Sequence, residues 1–346
     1  MGLKIHTLIL DLDMKLMTEL SKIDRFDASW ATIEKREGHS LKQLKSIATV
    51  RSVGASTRIE GSRMTDDEVA VLIEKLSISK LEERDQQEVM GYFEALDTIT
   101  ENHESIGISE SQIKNLHKIL MHHGEKDSWH RGNYKQVSNA VEANLVDGTK
   151  QIIFRTTDPG LPTQNAMMQL FEWYHSDQET IPLIKAAVFV YEFLSIHPFQ
   201  DGNGRLSRLL GSLFLLKNGY SWIQYVSFEH EIESRKSEYY KVLMQTQQDR
   251  PGENVTAWLT FFISCLINIQ EQLLTKLEES RTEQNVSQRD KRIIFFIQNH
   301  PGCGSSEIAK KLDMALPTVK KSLQELVANE ILTKEGQGKA TVYFAI

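Results

Sequence analysis

Apolar residues recur every three or four positions along most of the chain, and one internal stretch breaks that rhythm. "MTELSKIDRFDASWATIEKR" and "SLKQLKSIATVRSVGAS" carry the helical spacing, as do "NAMMQLFEWYHS" and "PLIKAAVFVYEFLSI". "TDDEVAVLIEKL" opens on Thr65 with Glu68 three residues later, a capping box. Ser109 caps "SESQIKNLHKILMHH" in the same way. Between Trp129 and Pro162 the texture changes: an Asp147-Gly148 turn precedes the β-rich "KQIIFRTT" at Lys150–Thr157, which predicts a hairpin inside a helical protein. The fold class is therefore mainly α, with no repeat of 20 to 50 residues.

At 346 residues there is room for one large domain and a smaller one. The polar "EESRTEQNVSQRD" marks a boundary near residues 280–288, bridged or not by a helix. Beyond it, "DKRIIFFIQNH", "SSEIAKKLD" and "ALPTVKKSLQELVANE" give three helical patterns, and "ILTKEGQGKATVYFAI" gives two short strands around a turn. That order is the layout of a winged helix. Cys265 and Cys303 are too few and too far apart for a disulfide framework or a zinc site. His122, His123 and His130 share no ligand face and read as surface or core histidines. No apolar run is expected to reach membrane-spanning length, and Asp11 and Asp13 make the apolar N-terminus a poor signal peptide. These features predict a soluble, cytoplasmic protein. A net charge of −7 argues against coating nucleic acid in bulk, although the segment after Asn285 holds nine Lys/Arg against six Asp/Glu.

The densest chemistry lies at Ser195–Leu210, "SIHPFQDGNGRLSRLL". Gly202-Asn203-Gly204 stands just ahead of Leu206, Leu209, Leu210, Leu213 and Phe214, which form one apolar helical face. The glycines thus fall at a helix N-terminus, where unpaired N–H groups and the helix dipole favour an anion. Arg205 and Arg208, three apart, can both reach phosphate oxygens from the first turn. Asp201 can hold a Mg²⁺ that bridges two phosphates, and His197 can take a proton from an attacking hydroxyl. Singly, Gly-x-Gly is a tight turn and His-Pro a helix stop. The run half-matches a dinucleotide fingerprint, but Ser207 stands where the third glycine belongs. Together the residues read as a polyphosphate-dependent transferase.

"HPFQDGNGRLSR", His197–Arg208, resembles the signature of the Fic domain, His-Pro-Phe-x-Asp/Glu-Gly-Asn-Gly-Arg-x-x-Arg, at every fixed position. The resemblance covers roughly residues 10–275. It implies a Fic-type helical core with a β-hairpin flap, and an enzyme that moves AMP from ATP to Ser, Thr or Tyr hydroxyls of proteins with Mg²⁺, releasing pyrophosphate. On that resemblance His197 is the general base, Asp201 the Mg²⁺ ligand, and the backbone of Gly202–Gly204 the anion nest. Asn203 orients the α-phosphate, Arg205 and Arg208 hold the outer phosphates, and Ser207 belongs to the same nucleotide-binding turn. Phe199 packs into the core and fixes the loop. Tyr239, beside Tyr240, borders the nucleotide, and Gln247 lies on the adenine side.

Upstream, "STRIEG" at Ser56–Gly61 matches the family's inhibitory motif, Ser/Thr-x-x-x-Glu-Gly/Asn. A Glu60 carboxylate against Arg208 would pair with the guanidinium that should take the γ-phosphate. The same glutamate could instead position water to remove AMP from a modified target. The implied division is 1–105 for an N-terminal helical region with the inhibitory helix, 106–280 for the catalytic core, and 285–346 for the winged helix. The resemblance makes the hairpin a flap on which a target segment adds as a strand, along Lys150, Gln151, Ile152 and Ile153. The winged helix is expected to contact protein, a homodimer partner included, rather than DNA through Lys320, Lys321 and Lys339. The rival reading is a DNA-binding regulator whose Fic core senses nucleotide without turnover; an intact His197 argues against it.

Overall fold

Leu8 and Leu10 are buried and Ile9 between them is exposed, the period-two pattern of a strand. They belong to a short antiparallel hairpin, β1 (Gly2–Ile5) and β2 (Leu8–Asp11), a feature that the helical reading of the sequence overlooked. The computed structural model describes residues 2–75, 81, 83–124, 128–144, 150–285, 287–329 and 331–345. Contacts divide the chain into two compact units, Met1–Leu274 and Thr275–Ile346.

In the first unit α1 runs unbroken over Met14–Glu60. Asp13 caps its start by accepting from the Leu16 N–H at 2.7 Å. The sequence suggests two helical stretches here, but they join across Gly38, whose interior glycine costs only about 1 kcal/mol. Gly61 ends the helix at φ 115°, donating back to Arg58 and Thr57 carbonyls as a left-handed C-terminal glycine does. α2 (Asp66–Glu74) carries the predicted capping box: Thr65 and Glu68 bond reciprocally. α3 (Arg84–Asn102) and α4 (Glu110–Leu120) follow, with Ser109 capping α4 as expected.

The hairpin is β3 (Ala140–Asn144) against β4 (Lys150–Arg155), antiparallel with a bulge between Val141 and Glu142. The expected Asp147-Gly148 turn lies outside the described residues. α5 (Leu161–Ser176), α6 (Pro182–Ile196) and α7 (Asn203–Lys217) come next. α6 and α7 are buried almost all round and form the centre of the unit. α8 (Phe228–Ser234) and α9 (Lys236–Gln247) lead to α10 (Thr256–Asn285).

α10 overturns the expectation that no apolar stretch reaches membrane-spanning length. Thr256–Ser280 does so by length and composition, at a mean hydropathy of 1.2. Its Trp258, Leu259, Ile263, Leu266 and Ile269 are buried inside the fold, the pattern of a core helix.

The second unit is a winged helix: α11 (Gln288–Asn299), β5 (Cys303–Gly304), α12 (Ser305–Leu312), α13 (Leu316–Ala328), β6 (Leu332–Glu335) and β7 (Val342–Ala345). Its sheet has the order β5-β7-β6. Ile293, Ile297, Ile308, Val319, Leu323 and Leu332 make its core. β5, only two residues long, carries too little periodicity to be visible in the sequence.

Candidate active site

The centre of the first unit presents the loop between α6 and α7. His197 ends α6 in the left-handed region, φ 54° and ψ 60°, sparsely populated by residues other than glycine. Gly202, at φ 77°, turns the chain into α7 and needs glycine for the same reason. Between them Phe199 is fully buried, its ring stacked 3.9 Å from that of His117. The Asn203 side chain closes the loop, accepting from the Phe199 N–H at 2.9 Å and donating to the Phe199 carbonyl at 2.8 Å. Both polar ends of that amide are therefore engaged with the loop rather than directed at a phosphate.

His117, on α4, supports this loop from behind. The Gly132 N–H donates to its Nδ1 at 2.8 Å, so the ring proton sits on Nε2 and donates to the Asp201 carbonyl at 3.0 Å. Burial pushes its pKa down to about 4, which keeps this tautomer neutral.

The loop faces a cavity of about 250 Å³ lined by His197, Asp201, Gly202–Arg205, Arg208, Glu60, Tyr239 and Tyr240 among others. Asp201 Oδ1 accepts from the Gly202 N–H at 2.6 Å, and Oδ2 lies 3.2 Å from Arg84 and 3.4 Å from Arg205. Burial alone would raise its pKa, but Arg205, the Gly202 amide and Arg84 outweigh burial and hold it below the usual carboxylate range. Arg205 is buried, yet its Nε and Nη1 find no hydrogen-bond acceptor among the described residues. Its nearest carboxylates are long contacts, Asp201 at 3.4 Å and Glu88 at 3.5 Å. Unsatisfied buried guanidinium donors call for an anion.

Arg208 is better supplied. Its Nε donates to Ser56 Oγ at 2.8 Å, and its Nη2 donates to Ser56 O at 2.9 Å and Glu60 Oε1 at 2.7 Å. A Cβ built on Gly204 would lie 2.3 Å from the same Glu60 oxygen, so the glycine is what lets the carboxylate settle at the start of α7. An anionic group of the chain itself thus occupies the position next to the nest and Arg208.

His197 Nδ1 lies 3.4 Å from the Leu194 carbonyl, the acceptor that favours a proton on Nδ1 and leaves Nε2 to accept one. Burial, and then the charge of Lys135, push its pKa down to about 4. Tyr239 is buried against Arg208, and burial raises its pKa to about 12, so its hydroxyl stays protonated. Ser207 Oγ donates to the Gly204 carbonyl at 2.7 Å, inside the helix. Gln247 is not among the lining residues: it is buried, and its amide donates to Ser195 Oγ at 2.9 Å. Lys150, Gln151, Ile152 and Ile153 lie on β4, one strand of a two-stranded sheet. A larger cavity, about 810 Å³, lies beside α2 and α3, but Asp67, Glu68, Glu83 and Glu94 against one lysine, Lys75, make it a poor receptor for a polyphosphate.

Residues 107–215, which hold this loop and its supports, match the model of the Fic/DOC family. The chain carries a Fic domain. Residues 287–333 match a winged helix-turn-helix DNA-binding family. The chain is similar to proteins named protein adenylyltransferase Fic: that of Drosophila melanogaster is 26% identical over 206 residues, 58% of this chain and 39% of the fly protein. That of Drosophila grimshawi is 27% identical over 186 residues, 52% of this chain and 36% of its own length. The matched region thus spans about two fifths of these relatives. Among solved structures, a Fic family protein from Desulfovibrio desulfuricans superposes with a TM-score of 0.63 at 21% identity, over 97% of both chains. A Fic domain protein from Bacteroides thetaiotaomicron gives 0.60 at 22% identity, over 74% of this chain and 97% of that one.

The sequence reading did not single out His117 or Lys135. His117 was detectable, because it shares the apolar stripe of α4 with Ile113, Leu116 and Leu120, and a polar group there needs partners. Nothing in the local pattern marks Lys135, a lysine only 2% exposed.

Proposed function

We propose that the Fic domain transfers AMP from ATP to a Ser, Thr or Tyr hydroxyl of a protein, and that Glu60 restrains this activity. The observation that carries the reading is the convergence of a neutral His197, the buried and unsatisfied Arg205, and the Glu60–Arg208 pair on one cavity at a helix N-terminus. A triphosphate satisfies the Arg205 donors and competes with Glu60 for Arg208. The target oxygen attacks the α-phosphorus, its proton passes to His197 Nε2, and the bond from the α-phosphorus to the bridging oxygen breaks to release pyrophosphate. The nest of N–H groups at Gly202–Gly204 and the α7 dipole stabilise charge on the phosphoryl oxygens.

Among the described residues there is no cluster of three or more metal-ligating side chains. Asp201 still fits Mg²⁺: it is ionised, partly exposed and lines the cavity, and one carboxylate plus substrate phosphates is how this ion is commonly held. Held there, Mg²⁺ would neutralise charge on the phosphates. β4 supports docking of an extended target segment by main-chain pairing along Lys150–Ile153, which carries little sequence selectivity.

Incubation with α-labelled ATP, Mg²⁺ and native lysate tests the reading. Label should appear on protein, and His197→Ala should lose at least about 10²-fold of it while ATP binding persists. Undiminished labelling by the variant would reject the assignment. A second reading concerns the tail: its match to a DNA-binding family, with Lys320 and Lys321 exposed on α13, favours a nucleic-acid contact more than the sequence alone does.

A further inference from the structure

Lys135 lies just ahead of the hairpin and bonds to the carbonyls of both residues that flank His197. Its backbone N–H donates to the Pro198 carbonyl at 2.8 Å, and its Nζ donates to the Ile196 carbonyl at 3.2 Å. The residue thus brackets a histidine held in the left-handed region, a conformation that persists only where its surroundings impose it. The same Nζ donates to Thr156 Oγ1 at 2.7 Å and Asn139 Oδ1 at 2.9 Å. Asn139 immediately precedes β3 and Thr156 immediately follows β4. Asn139 Nδ2 in turn donates to the Phe199 carbonyl at 2.9 Å, and Tyr134 forms a β-bridge with Phe199. One buried ammonium, with its three donors used, therefore ties the base of the hairpin to the histidine.

We infer that Lys135 is a positioning residue: it fixes the imidazole of His197 in place and sets its distance from the strand on which a protein substrate docks. This rests on the function proposed above and adds to it a group that touches neither nucleotide nor reacting atoms. Among the described residues, the charges that act most strongly on His197 are Lys135 ahead of β3, which opposes its protonation, and Glu60 on α1 and Asp201 in the loop, which favour it; Arg205 and Arg208 of α7 line the same cavity. Lys135 itself is pushed down to about 8 by burial, so it is mostly charged at neutral pH.

The test uses the full chain with Lys135→Met and Lys135→Arg. His197 is titrated by NMR, ATP binding is measured by calorimetry, and labelling of protein is followed against pH. Lys135→Met should move the His197 titration upward, slow labelling about 10- to 100-fold, the scale of a misplaced general base, and leave the ATP dissociation constant within about twofold. Lys135→Arg keeps the charge and should hold the titration near the parent value while restoring part of the rate. The titration needs no transferase activity, so it stands even if no labelling is found in the parent. Thr156→Val, which loosens the hairpin without removing the charge, should slow labelling of protein and leave the titration in place. It carries the test if Lys135→Met fails to fold. Folded Lys135→Met with an unmoved His197 titration, or Thr156→Val at the parent rate, overturns the assignment.

Discussion

Replacing Glu60 by alanine should speed AMP transfer, and the structure sets the scale. The substitution keeps a helix-forming residue at the end of α1, so the Gly61 stop is undisturbed. It leaves Arg208 its bonds to Ser56 Oγ and O and removes the carboxylate at 2.7 Å. A hydrogen bond to a charged group contributes about 1.5–3 kcal/mol. Glu60 is one-third exposed while Arg208 is 3% exposed, so water screens the pair on one side and the lower half of that range applies. A competitor of that strength holds the productive complex down by about tenfold, at most 100-fold, and its loss should raise the initial labelling rate by that factor. The assay follows labelled AMP on protein for the parent, Glu60→Ala, Arg208→Ala and the double variant, with a thermal midpoint for each. Because the two side chains touch across 148 positions of sequence, the gain should largely vanish when Arg208 is already alanine. A Glu60→Ala protein no faster than the parent, or one whose gain survives the loss of Arg208, refutes the competition.

Mild acid should weaken the fold through its buried histidines. Buried His117 resists protonation to about 4 whereas the unfolded imidazole takes its proton near 6.5, so the unfolded chain binds more protons in that window. Stability should therefore drop by about 2 kcal/mol between pH 7 and pH 5 from this group, with His197 adding in the same direction. Urea denaturation at the two pH values checks this, and equal stabilities would contradict it. For the tail, duplex binding in a gel shift should be weakened by Lys320→Ala with Lys321→Ala, and its salt slope should fall by about two if both contact phosphates. Absence of any shift for the parent at low salt leaves protein contact as the role of α13.

Much of this architecture was legible because it depends on local rules. α6 begins and ends where "PLIKAAVFVYEFLSI" does, the Thr65 capping box forms as spaced, and the glycines fall at the start of α7. The resemblance also placed Glu60 against Arg208, as the structure does. What escaped is decided by tertiary contact. Gly38 fails to break α1 because the helix is held by tertiary contacts on either side of it, Tyr225 donating to Glu34 at 3.0 Å and Lys45 to Glu101 at 3.1 Å. The strand at Leu8 and Leu10 is hidden in the sequence because the exposed Ile9 between them is apolar too, and only pairing with β1 reveals it. Asn203 is chemically able to meet a phosphate, but the nearest partners in three dimensions are the Phe199 N–H and carbonyl. The roles of Lys135 and His117 depend on carbonyls 61 to 84 residues away, which no window of sequence brings together.

Glu60 is the last residue of a 47-residue helix, a rod about 70 Å long. Such a rod, clamped along its length, cannot slide to withdraw one carboxylate without breaking packing far from the cleft. The terminal turn is different. Lys236 Nζ donates to the Ile59 carbonyl at 2.7 Å, Arg58 pairs with Glu233 at 2.7 Å and with Asp66 at 2.9 Å, and no further helical turn lies beyond Gly61 to resist unwinding. Fraying of helix ends is the lowest-energy opening a helix offers. If Glu60 restrains transfer as proposed, the restraint rests on a few residues at the tip of a long helix, and a change at Arg58 or Lys236 would reach Glu60 without moving the rest of α1.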